Sequence, residues 1–90
     1  MLEREVIVRN RLGLHARAAA QLVRTASNFA STLRLERAEG VAVADAKSIL
    51  SVLMLAASCG TVLRLSAEGA DEREAVSAVY ELINSGFGEA

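Results

Sequence analysis

Ninety residues, 52% hydrophobic, with ten basic and eleven acidic side chains for a net charge of −1, suffice for one small domain and leave no room for a second. The charge balance argues against a general nucleic-acid binder, which carries a basic excess. No apolar run reaches the roughly 18–20 residues that span a bilayer, so no membrane insertion is expected. Phe29, Tyr80 and Phe87 are the only aromatics, so the core must be built from aliphatic side chains and alanine. Glu3 and Glu5 stand where a secretory signal would carry positive charge, and the single Cys59 cannot form an internal disulfide. A soluble, reducing, cytoplasmic setting is expected, with Cys59 as a small apolar residue near a turn.

In chain order, "REVIVRN" alternates Arg4, Val6, Val8 and Asn10 against Glu5, Ile7 and Arg9, the period of a first strand. Gly13 marks the turn after it. A helix follows, with Ala19, Leu22, Val23, Ala26 and Ala30 on one face and Arg17, Gln21, Arg24, Thr25 and Asn28 on the other. "STLRLER" is a second strand with Leu33 and Leu35 on one side. "AEG" at Ala38 to Gly40 signals a hairpin turn into a short third strand, "VAVA", with Val41 and Val43 inward. "KSILSVLMLAA" is a short second helix, capped by Ser48, nearly apolar all round and ended by Gly60. "TVLRLSAE" is a fourth strand, with Leu63, Leu65 and Ala67 alternating against Val62, Arg64 and Ser66. "GADEREAVSAVYELINSG" is a third helix, capped by Asp71, with Val76, Val79, Leu82 and Ile83 as its buried stripe and Gly86 as its stop.

The order β-α-β-β-α-β-α, with strands that bury one face only, predicts an α/β (α+β) fold over residues 1–90. It is an open-faced β-sandwich, a four-stranded antiparallel sheet covered on one face by three helices.

The three helix starts differ. The third carries Asp71, Glu72 and Glu74 in its first turn, as the positive end of a helix dipole favours. The second has the neutral cap Ser48 after Lys47. The first breaks the rule: "LGLHA" offers no preferred cap except, weakly, the His15 ring, and Arg17 adds positive charge to a positive end. Free N–H groups, a helix dipole and a guanidinium together make an anion site. A histidine inside it is a nucleophile that can carry a covalent phosphoryl group. The residues alone leave this reading open against an ordinary surface histidine and a solvated arginine. They disfavour a metal site, with one His and one Cys far apart, and a Ser-His-Asp hydrolase, for want of a nucleophile elbow. A regulatory domain holding a small ligand without covalent chemistry, or an assembly module using apolar residues of the second helix, also fits the element order.

"GLHARAA", "AKSIL" some thirty residues on, and "SAEGADEREAV", in that order and over nearly the whole chain, resemble the HPr family of histidine-containing phosphocarriers of the bacterial phosphoenolpyruvate:sugar phosphotransferase system. The resemblance implies that His15 accepts a phosphoryl group on Nδ1 from Enzyme I, itself charged by phosphoenolpyruvate, and passes it to an EIIA domain. It implies no cofactor, and a carrier rather than an enzyme. Arg17 matches the family's phosphate-stabilising arginine. Ser48 matches the serine phosphorylated in many members by an ATP-dependent HPr kinase/phosphorylase. Two stretches depart from the pattern. Ala18 stands where the family commonly has Pro, which resembles the nitrogen-related branch (NPr-like, regulatory). "SILSV" stands where "SIMGV" is usual, which bears on recognition by the kinase.

A carrier of this kind is expected to be a monomer with an apolar docking surface around an exposed histidine. Ala16, Ala20, Ile49, Leu50 and Leu53 are its candidates, the last three competing with a role in the core. Arg24 and Arg17 would steer acidic partners, and Lys47 is a further partner-binding candidate.

Overall fold

The computed structural model describes residues 1–89. Alternating strands become a sheet with one dry face: β1 (Leu2–Ile7), β2 (Thr32–Arg37), β3 (Val43–Asp45) and β4 (Val62–Glu68) lie in the spatial order β1-β4-β2-β3, each neighbouring pair antiparallel. Val6 sits opposite Leu63, and Leu65 opposite Leu35, so large aliphatics meet across the central strand β4. Helices α1 (Ala16–Ala26), α2 (Ile49–Met54) and α3 (Glu72–Asn84) cover that face, α3 against β1 and β4 and α1 against both α2 and α3. Leu22, Leu33, Leu35, Leu63, Leu65, Val79 and Ile83 are fully buried, each contributing about 1.5–3 kcal/mol of hydrophobic stabilisation. The expected open-faced sandwich and its element order are what the chain forms.

Three expectations about the strands and helix ends are corrected. Val41 and Val43 do not face inward: both are exposed, and Ala44 and Ala46 are buried instead. Pairing of Leu35 with Ala44 fixes the phase of β3, and α2 packs against that strand. Ala30 lies beyond the end of α1 and is exposed, while Ala18 joins the buried face. Helix α2 stops at Met54, well short of Gly60, because Ala56 adopts a left-handed φ of 51°. The Arg37 guanidinium donates to the carbonyls of Leu55 and Ala56 there, each at 3.3 Å, satisfying acceptors a helix end leaves open. Cys59 is exposed.

Asp71 occupies the N-cap position of α3, but its side chain caps nothing in that helix. Its carboxylate accepts from the N–H groups of Ala30 and Ser31, both at 2.9 Å, and from the Ser31 hydroxyl. The start of α3 is thereby tied to the junction between α1 and β2, and Glu72 accepts from Gly69 N–H at 3.1 Å in the first turn. Hydrogen bonds from the Ser31 hydroxyl, then the Ala30 amide, hold the Asp71 carboxyl below its ordinary range. A depressed carboxyl pKa adds stability above the unfolded value of about 3.9, lost as pH falls through the folded value. Asp71→Ala is therefore expected to be less stable than wild type at neutral pH, with the gap closing below about pH 4. Urea denaturation across pH checks this, and a gap constant with pH would sink the assignment.

Candidate functional site

The turn before α1 is built by Asn10, Gly13 and Leu14. Gly13 takes φ 68°. Its N–H donates to Asn10 C=O at 3.1 Å, and its own C=O accepts from His15 N–H at 2.9 Å. Leu14 N–H donates to Ala57 C=O at 2.9 Å, stacking the turn on the loop between α2 and β4, and the Leu14 side chain is buried. Asn10, 3% exposed, donates from Nδ2 to Gly13 C=O at 2.7 Å.

His15 is the N-cap of α1, in extended backbone at φ −74° and ψ 178°. Its C=O accepts from Ala19 N–H at 2.8 Å, opening the helix. Its ring turns back, so that Nδ1 accepts from Arg17 N–H at 3.3 Å. The weak imidazole cap anticipated from sequence is thus formed. No acidic residue lies in the first turn, and among the described residues the N–H groups of Ala16 and Ala18 meet no acceptor. The dipole's positive end therefore converges on the Nδ1 side of the ring.

The ring and Arg17 share an open depression with Arg11, Leu12, Gln21, Phe87, Gly88 and Glu89. Arg17 is exposed, and its guanidinium makes no hydrogen bond or ion pair among the described residues. On the opposite edge of the imidazole, Nε2 lies 2.6 Å from Glu89 Oε2. The hydrogen bond with His15 is the main cause holding the Glu89 carboxyl below its ordinary range, followed by the one from Asn10, with the positive charge of Arg17 adding. Glu89 and Asn10 are additions that sequence reasoning missed. Glu89 lies 74 positions from His15, and only "GFGE", two glycines around an aromatic after a helix, hints that the chain turns back.

Ser48 is the N-cap of α2 and half-buried, its Oγ accepting from Ser51 N–H at 3.3 Å. At that length, Ser48→Ala is expected to cost about 0.5–1 kcal/mol in urea denaturation; an unchanged midpoint would mean the cap is idle. Lys47 Nζ donates to Phe29 C=O at 2.7 Å, which holds its charge near the end of α1. Of the apolar candidates, Ile49 and Leu50 are exposed at 44% and 69%, joined by Met54 at 75%. Leu53 is half-buried and packs against the core. Ala16 and Arg24 are exposed and Ala20 half-buried. Helices α1 and α2 pack together, so Ala16, Ala20, Ile49 and Leu50 lie on neighbouring elements. Neither Ser48 nor Lys47 lines the depression that holds His15; Lys47 lines another, with Arg34, Asp45 and Ser51.

Residues 2–85 match the family model described as the PTS HPr component phosphorylation site. The chain is 52% identical over 89 residues to a phosphocarrier protein HPr of Xylella fastidiosa, covering 99% of this chain and 98% of that one. It is 43% identical over 86 residues to a phosphocarrier protein NPr of Proteus mirabilis, covering 96% and 94%. The crystal structure of HPr from Thermoanaerobacter tengcongensis superposes with a TM-score of 0.92 at 46% identity, covering 100% of this chain and 99% of that one. A crystal structure of that protein as a dimer matches at 0.77. Among the described residues, no helix is long and apolar enough to cross a membrane.

Proposed function

This chain belongs to the HPr family of phosphocarrier proteins, and on that premise we propose that His15 is its phosphoryl-carrying residue. His15 accepts the group on Nδ1 from phospho-Enzyme I, which phosphoenolpyruvate charges, and hands it to an EIIA-type acceptor in the cytoplasm. The observation that carries this reading is the position of Nδ1, directed at the open N-terminus of α1 in an exposed depression beside Arg17. Phosphoryl transfer needs in-line placement and charge stabilisation. The Nδ1 lone pair forms the new P–N bond while the donor's bond to phosphorus breaks, its electron pair leaving with the donor. The N–H groups of the first turn and the Arg17 guanidinium then face the phosphoryl oxygens. Ala16, Ala20, Ile49 and Leu50, with Met54, form the apolar surface on which both partners dock in turn, and Leu53 supports it from beneath. Arg24 contributes charge at its rim. Ser48 is the position a regulatory kinase would modify, adding charge beside this surface.

Incubation with phosphoenolpyruvate and a bacterial Enzyme I is expected to give an acid-labile, base-stable phosphate that chases onto EIIA. A protein that takes no label, or holds it without passing it on, overturns the reading. The nitrogen branch is the second reading, favoured by Ala18 and by the likeness to an NPr. It predicts faster chase onto a nitrogen-branch EIIA than onto a sugar-branch one.

A further inference from the structure

After α3 the backbone reverses through three successive left-handed residues, Gly86 at φ 71°, Phe87 at 59° and Gly88 at 72°. For Phe87, which carries a Cβ, that conformation is costly and must be held by its surroundings; its side chain is anchored in the core at 4% exposure. The reversal delivers Glu89 to the imidazole, with Oε2 at 2.6 Å from Nε2. The other oxygen, Oε1, accepts from Asn10 Nδ2 at 3.1 Å, the same amide group that braces Gly13 C=O. The carboxylate is thus held between the ring and the turn that supports it. One tautomer satisfies both ring contacts: Nδ1, which accepts from Arg17 N–H, must be bare, and Nε2 must carry the proton it donates to Glu89.

We propose that Glu89 is a positioning residue for phosphoryl acceptance, keeping the ring proton on Nε2 and the Nδ1 lone pair aimed at the helix end. The inference rests on the phosphocarrier reading of His15. As the P–N bond forms, the ring acquires positive charge, and the carboxylate opposite the reacting nitrogen balances it. The proton stays on Nε2, no base is consumed, and the same contact serves when the phosphoryl group leaves. The strained reversal at Phe87 is the local cost of bringing a carboxylate to the far edge of the imidazole.

The test compares wild type, Glu89→Gln and Glu89→Ala, each checked for an unchanged melting curve. Ring ¹⁵N spectra at about pH 8 are expected to show a slowly exchanging Nε2–H in wild type. That signal weakens in Glu89→Gln, which keeps an acceptor but no charge, and is lost in Glu89→Ala. The rate of phosphoryl acceptance at saturating Enzyme I should fall about 10–100-fold in Glu89→Ala, less in Glu89→Gln, with little change in KM. A rate that falls while the Nε2–H signal persists, or a signal that is lost while the rate holds, overturns the proposal. So does the absence of any change. A wild type that accepts no phosphate removes the phosphocarrier reading itself; a Glu89→Ala protein that reacts as fast as wild type removes only the role of Glu89.

Discussion

His15→Ala is expected to lose all acid-labile phosphate on incubation with phosphoenolpyruvate and Enzyme I, while the domain stays folded. The chain has one histidine, so no second imidazole can take its place. The ring's bonds to the fold are two: a long one of 3.3 Å from Arg17 N–H and one of 2.6 Å to Glu89 at the end of the chain's described part. Neither reaches the buried core, so replacing the ring should cost about 1–2 kcal/mol, within the reserve of a stable small domain. Labelling that persists in the variant would refute the assignment of His15. Arg17→Ala separates the two parts of the site. Its side chain is exposed, so the fold should be untouched, whereas transfer should slow by about 10²–10³-fold, as when one preorganised donor to a developing charge is removed. An unchanged rate would take Arg17 out of the site.

Much of the fold was legible because its layers obey local rules. Leu33 and Leu35, and Leu63 with Leu65, declare the dry face of the sheet by strict alternation, and Leu22 and Ala26 declare the inner face of α1. The features that were not legible depend on distant partners. Valine is the stronger strand-forming and burying residue, so "VAVA" suggests Val inward. Only the register against β2 and the nearness of α2 reveal that alanines fit there. The stop of α2 is secured by Arg37 from another strand, and the carboxylate of Asp71 is claimed by Ser31, 40 positions away. The candidate site divides in the same way. His15 and Arg17 were visible because they break the capping rule within one turn of helix. Glu89 was not, because nothing near it in sequence requires a histidine.

Gly13→Ala is expected to damage stability and transfer together, through backbone contact rather than through any functional group. At φ 68° an L side chain is already disfavoured, and a Cβ there would meet Ala57 O at 2.6 Å and the Cα of Ser58 at 2.8 Å. Both are backbone atoms, so no rotamer change relieves the clash. The loop between α2 and β4 must move, or the 2.9 Å bond from Leu14 N–H to Ala57 C=O must stretch. The conformational penalty and the clash together should cost about 2–5 kcal/mol. Because Gly13 C=O accepts from both His15 N–H and Asn10 Nδ2, any shift of the turn moves the imidazole and the brace on Glu89 with it. Misplacement by about 1 Å can slow a reaction by about 10²-fold. Gly60→Ala is the control: φ is 93°, but nothing lies within 4 Å of the added Cβ. It should show only the conformational cost, about 1–2 kcal/mol, with transfer intact. Urea denaturation and phosphate acceptance, measured on both variants, distinguish the two costs. Equal losses would mean that the close approach at Gly13 yields without strain and that the turn does not hold His15 in place.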